Sequence, residues 1–174
     1  ICKRKSDKDK AIYLSTQAKE TQNYLHNEAG FNYRMSNVLA SIGLNQIKVL
    51  NKRIKQRRVN NKRYKSFFKD ISGINLKEEY SKDLYSNFWL NTICFENSKF
   101  SNVHILKKML DNNIDVRTLW FPLHKQKYLK KSLFFGQGLS EKLFKNGLCL
   151  PSSSNLSNND FNRIIGVFNS IIKE

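Results

Sequence analysis

Apolar residues recur along this chain at two different intervals, and the changes between them mark out its elements. Leu39, Gly43, Ile47, Leu50 and Ile54 are spaced four, four, three and four apart, the interval of one helix face. Ser36 and Asn37 stand just before this run, where side-chain oxygens accept the unpaired amides of a first helical turn. Asp70, Ser72 and Gly73 close it. The spacing therefore predicts a long helix from Asn37 to Phe68. Upstream, residues 7–22 carry Ala11, Leu14 and Ala18 on one face and predict a second helix, followed by a polar turn region from Asn23 to Tyr33 around Gly30.

Downstream the pattern changes. Residues 74–86 are mixed and polar, which predicts a short strand and a loop. Phe88 to Phe95 has the aromatic and β-branched content of a strand, apolar on both faces. Asn102 to Asn112 reads as an amphipathic helix through Val103, Leu106, Met109 and Leu110, and Ile114 to Trp120 as a strand that Pro122 ends. Leu139 to Lys145 predicts a short helix and Gly147 to Leu150 a short strand stopped by Pro151. Ser157 is a good N-cap for a last helix carrying Phe161, Ile164, Ile165, Phe168, Ile171 and Ile172. Strands alternating with helices imply a small α/β layer packed on one sheet.

Composition narrows this. Hydrophobic residues make up 40% of the 174, enough for a packed core. The apolar runs are far shorter than the roughly 20 residues a bilayer span requires, so no membrane association is expected. Ile1 to Lys10 are polar and basic and form no secretory signal. The chain opens on Ile instead of Met, as a piece of a longer protein would. Cys2, Cys94 and Cys149 are odd in number and widely separated, which argues against a disulfide framework or metal site and for a reducing, cytoplasmic setting.

The net charge of +17, from 31 Lys and Arg against 14 Asp and Glu, predicts attraction to anions. No zinc finger, ribonucleoprotein motif or basic zipper accompanies it, so a dedicated nucleic-acid binder is not expected. A solvated, Lys-rich helix face is the preferred explanation, since charge alone does not specify a partner. The chain also lacks a dinucleotide fingerprint, a phosphate loop with Lys, a nucleophile elbow and a zinc-protease helix motif.

Two segments carry candidate chemistry. Gly30 to Asn37 places Asn32, Tyr33 and Arg34 just before a helix N-terminus, where an anion is readily held. An ordinary turn reads as well from the same residues. Arg117 to His124 supplies a guanidinium fork, the stacking face of Trp120 and a tunable His124, as a sugar or nucleotide pocket requires. The bland alternative is an Arg in a surface pair and a His on a loop. His26 lies in the polar turn and fits either description.

These residues stand in a recognisable order. Leu14 to Lys19, Tyr24, His26 to Glu28, Gly30 to Asn37, Ala40 to Ile47, Arg58, Tyr64, Arg117 to His124 and Leu148 through Leu156 together resemble the DegT/StrS-type aminotransferases, enzymes that depend on pyridoxal 5′-phosphate (PLP) and act on nucleotide sugars. The closest likeness is to the branch that aminates UDP- or GDP-linked 4-keto-6-deoxy sugars for bacillosamine, legionaminic acid or perosamine. The resemblance implies an α/β fold: the C-terminal small domain, and the end of the large domain, of a fold type I aspartate-aminotransferase-like enzyme. Residues 1–40 would end the PLP-binding large domain, and 41–174 would form the small domain.

It further implies a homodimer, glutamate as amino donor, and a role in surface polysaccharide biosynthesis. Asn32, Tyr33 and Arg34 would lie on the phosphate side of a PLP bound by the partner subunit. His26, Arg117, Trp120 and His124 would lie on the substrate side. No lysine of this chain stands in the family's Schiff-base motif, so none is assigned to catalysis, and PLP would be bound mainly by a large domain outside this sequence. A catalytically inactive remnant, or a basic module binding nucleic acid or anionic surfaces, remains the alternative.

Overall fold

The computed structural model describes residues 2–19, 25–96, 100–129 and 131–173. The chain divides into two compact units, Ile1–Val49 and Leu50–Glu174.

In the first unit, helix α1 spans Lys5–Ser15, shorter than the expected 7–22; residues 20–22 of that expectation, and Asn23 and Tyr24 of the turn, lie outside the described residues. Local chemistry ends the helix. The Thr16 hydroxyl donates to the carbonyls of Ile12 (2.8 Å) and Tyr13 (3.0 Å). Gln17 and Ala18 then adopt left-handed backbone, with φ of 69° and 48°, which a right-handed helix cannot continue. The chain returns antiparallel to this stretch. The Gln17 amide donates to the Phe31 carbonyl (3.0 Å), and the amides of Phe31 and Tyr33 donate to the carbonyls of Leu14 (2.7 Å) and Ser15 (3.0 Å).

Helix α2 spans Asn37–Phe68, as its caps predict. The Ser36 hydroxyl accepts from the Leu39 amide at 3.3 Å, and Gly73 beyond the far end takes the left-handed conformation, φ 84°. The apolar spacing that revealed the helix does not mark its core contacts. Leu39, Ile47 and Leu50 are exposed, and the buried side chains of α2 are Asn60, Asn61, Tyr64 and Phe68.

The second unit is built on a four-stranded antiparallel sheet in the order β1 (Ile74–Leu76), β2 (Asn91–Phe95), β4 (Gly147–Leu150), β3 (Arg117–Thr118). Helices α3 (Asn102–Asp111), α4 (Leu139–Asn146) and α5 (Asn158–Lys173) complete it. In β2 burial alternates along the strand, and Asn91, Ile93 and Phe95 point to the core. Ile93 pairs with Leu148 and Asn91 with Leu150, so these four share that face. Tyr64 and Phe68 of α2, Ile105 and Met109 of α3, and Phe161, Ile164, Phe168 and Ile171 of α5 cover it in one continuous cluster. Each fully buried aliphatic or aromatic side chain contributes about 1.5–3 kcal/mol relative to exposure.

Three sequence expectations shift. The predicted strand Phe88–Phe95 starts only at Asn91, because Phe88 is left-handed (φ 45°). Strand β3 keeps two residues of the predicted seven; Ile114 and Val116 are buried as core side chains ahead of it. Helix α3 buries Ile105 and Met109, one turn apart, and leaves Val103 and Leu110 in water.

A polar seam runs through the apolar layer. The Asn61 amide donates to the Asn91 side-chain oxygen (2.9 Å), and the Asn91 amide nitrogens, backbone and side chain, donate to the Ser152 hydroxyl (2.8 and 3.0 Å). The Ser152 hydroxyl in turn donates a hydrogen bond to the Leu150 carbonyl at 2.8 Å. Asn60 donates to the Ser153 carbonyl and Tyr64 to the Pro151 carbonyl, at 2.8 and 2.9 Å. These satisfied bonds fix the register of α2 against the segment after β4, since any slip strands a buried polar group.

Helix α5 opens with a capping box. The Ser157 hydroxyl accepts from the Asp160 amide (3.1 Å), and the Asp160 carboxylate accepts from the Ser157 amide (3.0 Å) and hydroxyl (2.7 Å). Those two donors, hydroxyl first, hold the Asp160 carboxyl below its ordinary range.

Candidate functional site

The turn ahead of α2 is shaped by Gly30. A Cβ there would lie 2.2 Å from the carbonyl carbon of Gln17 and 2.3 Å from the Ala18 nitrogen, so only glycine lets the two backbones come this close. The turn is also laced by two isolated antiparallel bridges, Thr16 to Asn32 and Lys19 to His26. His26 Nδ1 lies 2.7 Å from the Gln17 carbonyl oxygen. A carbonyl only accepts, so Nδ1 carries the proton and Nε2 remains an acceptor in the neutral ring. Tyr33 stacks on Phe31, with ring centroids 5.2 Å apart. Asn32, Tyr33 and Arg34 are all exposed, and the first turn of α2 carries no acidic residue. The structure therefore gathers His26, Asn32, Tyr33 and Arg34 on one braced turn, with a cation beside the amide-rich end of a helix. That combination suits an anion.

In the second unit, the Arg117–His124 segment serves two places. Arg117 and Trp120 line a cleft of about 610 Å³ together with Trp89, Leu90, Leu106 and Cys149. The Arg117 guanidinium is 77% exposed and pairs with Asp115 at 3.0 Å. So exposed a pair is weakly held, and the fork keeps donors for a ligand.

His124 turns elsewhere. Its Nε2–H donates to Glu141 at 2.9 Å, and its ring stacks on Phe134 with centroids 3.7 Å apart. Lys125 reaches the other Glu141 oxygen at 3.2 Å. His124 and then Lys125 hold the Glu141 carboxyl below its usual range. Glu141, Lys125, Phe121 and Phe144 line a separate cavity of about 460 Å³. His124 is thus orienting α4 in this structure, apart from the Arg117–Trp120 cleft.

Two features escaped the sequence reading. Trp89 lines the cleft, although its segment reads as plain strand. The loop that carries it is anchored by Arg58, whose guanidinium forks onto Glu79 (2.7 and 3.1 Å), lies 4.1 Å from the Tyr85 ring centroid and donates to the Ser86 carbonyl. Arg57 and Arg58 in the helix and the aromatic residues of the loop were the available signal; the pairing of Arg58 with Glu79, 21 residues away, was not. Arg58, and then the Ser86 amide, hold the Glu79 carboxyl low.

A carboxyl whose pKa falls on folding adds stability that is present above its unfolded pKa and lost as pH drops toward the folded value. Glu79, Glu141 and Asp160 all shift this way. The urea midpoint is therefore expected to hold from neutral pH down to about pH 5 and to fall below it. Glu79→Gln should flatten that acid limb; an unchanged limb would remove Glu79 from the account.

Burial pushes the thiols of Cys94 and Cys149 up, and among the described residues no cluster of His, Cys, Asp and Glu could hold a metal ion. Nor, among the described residues, is any helix long and apolar enough to cross a membrane.

The chain is similar to known proteins in sequence and in fold. The DegT/DnrJ/EryC1/StrS aminotransferase family matches residues 4–169. EpsN of Bacillus subtilis (strain 168), named as a pyridoxal phosphate-dependent aminotransferase, is 38% identical over 164 residues, covering 91% of this chain and 42% of EpsN. GDP-perosamine synthase of Escherichia coli O157:H7 is 29% identical over 78% of this chain and 36% of its own length. The chain thus spans less than half the length of these relatives.

Among solved structures, the aminotransferase TlmJ of Streptoalloteichus hindustanus superposes with a TM-score of 0.85 at 17% identity, over 98% of this chain and 46% of TlmJ. PseC of Helicobacter pylori, an aminotransferase of pseudaminic acid biosynthesis, gives 0.81 at 18% identity, over 98% and 47%. These show the fold, which is the fold type I architecture expected from the sequence. The chain belongs to the DegT/DnrJ/EryC1/StrS aminotransferase family.

Proposed function

We propose that this chain is the C-terminal portion of a cytoplasmic, homodimeric, PLP-dependent aminotransferase that moves an amino group from glutamate to a nucleotide-linked 4-keto-6-deoxy sugar for surface polysaccharide. The observation that carries this is the braced turn. Within a chain of this family, an exposed Arg34 and Asn32 stand before the N-terminus of α2, held there by the close approach of Gly30 to Gln17. Residues 1–40 then end the large domain and 41–174 form the small one. Exposed Val38, Leu39, Ile42 and Ile47 support the same reading: an apolar face on α2 suits burial by the part of the relatives' length that this chain does not span.

The turn fits a phosphate group, offering a cation, an amide and helix-terminal N–H groups. Arg34 would hold the cofactor's phosphate with a charge-assisted hydrogen bond, Asn32 would fix its orientation, and Tyr33 would flank it. Bound PLP supplies an electron sink through which an amino group is exchanged. On the substrate side, Arg117 offers its fork to a diphosphate and Trp120 its face to a ring. His26, with Nδ1–H committed to Gln17, presents Nε2 as an acceptor for a sugar hydroxyl. His124, with Nε2–H committed to Glu141, keeps Nδ1 as the acceptor it could offer a substrate. The Schiff-base lysine would come from the portion outside this chain.

The test is reconstitution. The chain should be inactive alone and should transfer an amino group from glutamate to a UDP- or GDP-linked 4-keto-6-deoxy sugar once co-expressed with the N-terminal portion of EpsN. A co-purifying complex that binds PLP and transfers nothing to either sugar overturns the reading. In the active complex, Arg34→Ala should weaken PLP binding by about tenfold or more, the worth of a hydrogen bond to a charged group.

A further inference from the structure

We propose that Trp89 is a ligand-contacting residue which, with Trp120 and Arg117, makes their cleft a site for the base and phosphate of a nucleotide. This rests on, and sharpens, the reading of the substrate as nucleotide-linked. The chain has two tryptophans, and both line this one cleft. Both are left largely in water, Trp89 at 62% and Trp120 at 66% exposure. Two indoles and an exposed guanidinium around a cavity of about 610 Å³ match a flat ring carrying an anion. The net charge of +17 favours the same class of ligand.

The backbone goes to some length to present Trp89. An extended chain running back from β2 would place residue 89 on the face of Asn91, Ile93 and Phe95, inside the core. The chain bends there instead, after a left-handed Phe88, a strained conformation for a bulky aromatic residue. Such strain persists only where neighbours over-determine it, and here they do. The Phe88 amide donates to the Ser86 hydroxyl (3.0 Å), and the Trp89 amide to the Asn87 side chain (2.9 Å). Arg57 donates to the carbonyl of Trp89 itself, and Arg58 to that of Ser86. The Arg58 guanidinium also lies 5.2 Å from the Phe88 ring centroid. Arg57 and Arg58 are positioning residues: they fix the bend, and the bend puts the indole in the cleft.

Because both tryptophans are in the cleft, intrinsic fluorescence excited at the indole edge reads this site alone. The 174-residue chain is titrated with UDP and with GDP, using ribose 5-phosphate and pyrophosphate as controls that lack the base. Saturable quenching by UDP or GDP is expected at concentrations at least about tenfold below those of either control, the scale of one stacked base. The Trp120→Phe variant should retain quenching through Trp89, and Trp89→Ala, read through Trp120, should bind the nucleotide about tenfold more weakly. In the Trp120→Phe background, Arg57→Ala should shift the emission of Trp89 and weaken nucleotide binding while the far-ultraviolet circular dichroism stays unchanged.

Quenching by UDP and GDP no stronger than by the controls, or a Trp89→Ala variant that binds like its parent, overturns the proposal. The two readings separate cleanly. An active reconstituted enzyme whose cleft ignores both nucleotides keeps the aminotransferase and removes this site. A cleft that binds nucleotide in a complex that transfers nothing keeps the site and removes the aminotransferase.

Discussion

Replacing Tyr64 with Ala is expected to cost the second unit about 4 kcal/mol, the scale of emptying an aromatic site in a packed core. Tyr64 is fully buried on α2. Its ring packs against Phe161 (centroids 4.8 Å) and Phe68 (6.3 Å), so it joins the long helix to α5. Its hydroxyl donates to the Pro151 carbonyl, where the chain leaves β4. Burial pushes the phenol well above its ordinary pKa, so it stays a neutral donor throughout the working range of pH.

Two losses follow from the substitution: a cavity between two helices, and a carbonyl without its partner. Tyr64→Phe isolates the second and should cost about 1–2 kcal/mol. Domains of this size hold about 5–15 kcal/mol in all, so Tyr64→Ala should leave a marginal fold. Urea unfolding followed by tryptophan emission measures both variants, since both tryptophans belong to this unit. A Tyr64→Ala midpoint within about 1 kcal/mol of the parent would mean that the site collapses around the gap.

That helix shows what a sequence can and cannot reveal. Its ends were legible because they are local: Ser36 caps the first turn and Gly73 sits where a left-handed residue belongs. Its core face was not. The regular apolar spacing from Leu39 to Ile54 describes a half of the helix that is largely exposed, while the packed half uses Asn60, Asn61 and Tyr64, which carry polar atoms and blur the period. Their partners, at Ser153, Asn91 and Pro151, lie 30 to 93 residues away.

The same limit governs the site. The Gly30–Asn37 turn could be read because its cap and glycine are contiguous. The split of Arg117 and Trp120 from His124 could not, since it depends on Glu141, 17 residues beyond His124. Trp89 was hidden by its own composition: aromatic and β-branched neighbours read as strand, and Arg57 and Arg58 override that preference from a distant helix.

Gly30→Ala should undo the turn ahead of α2. The backbone at Gly30 is not left-handed, so the demand for glycine comes from space. A single methyl would meet main-chain atoms of Gln17 and Ala18 at 2.2 and 2.3 Å, and main chain cannot swing aside as a flexible side chain can. The approach itself is held by the bonds of Gln17 to Phe31 and of Phe31 to Leu14, so relieving the clash breaks them. Overpacking of this kind costs about 1–3 kcal/mol or more. At the upper figure, the amides of Gln17, Phe31 and Tyr33 should exchange with solvent about 100-fold faster.

Gly43→Ala is the matched control. A Cβ at Gly43 in α2 meets nothing within 4 Å, and alanine is the better helix former by about 1 kcal/mol. It should leave exchange at the turn unchanged. In the reconstituted enzyme, Gly30→Ala should weaken PLP binding as Arg34→Ala does, because it moves Asn32 and Arg34 together without touching either side chain. Parent-like exchange in Gly30→Ala would show that the two strands of the turn can part without cost. Gly30 would then lose its role in placing Asn32 and Arg34.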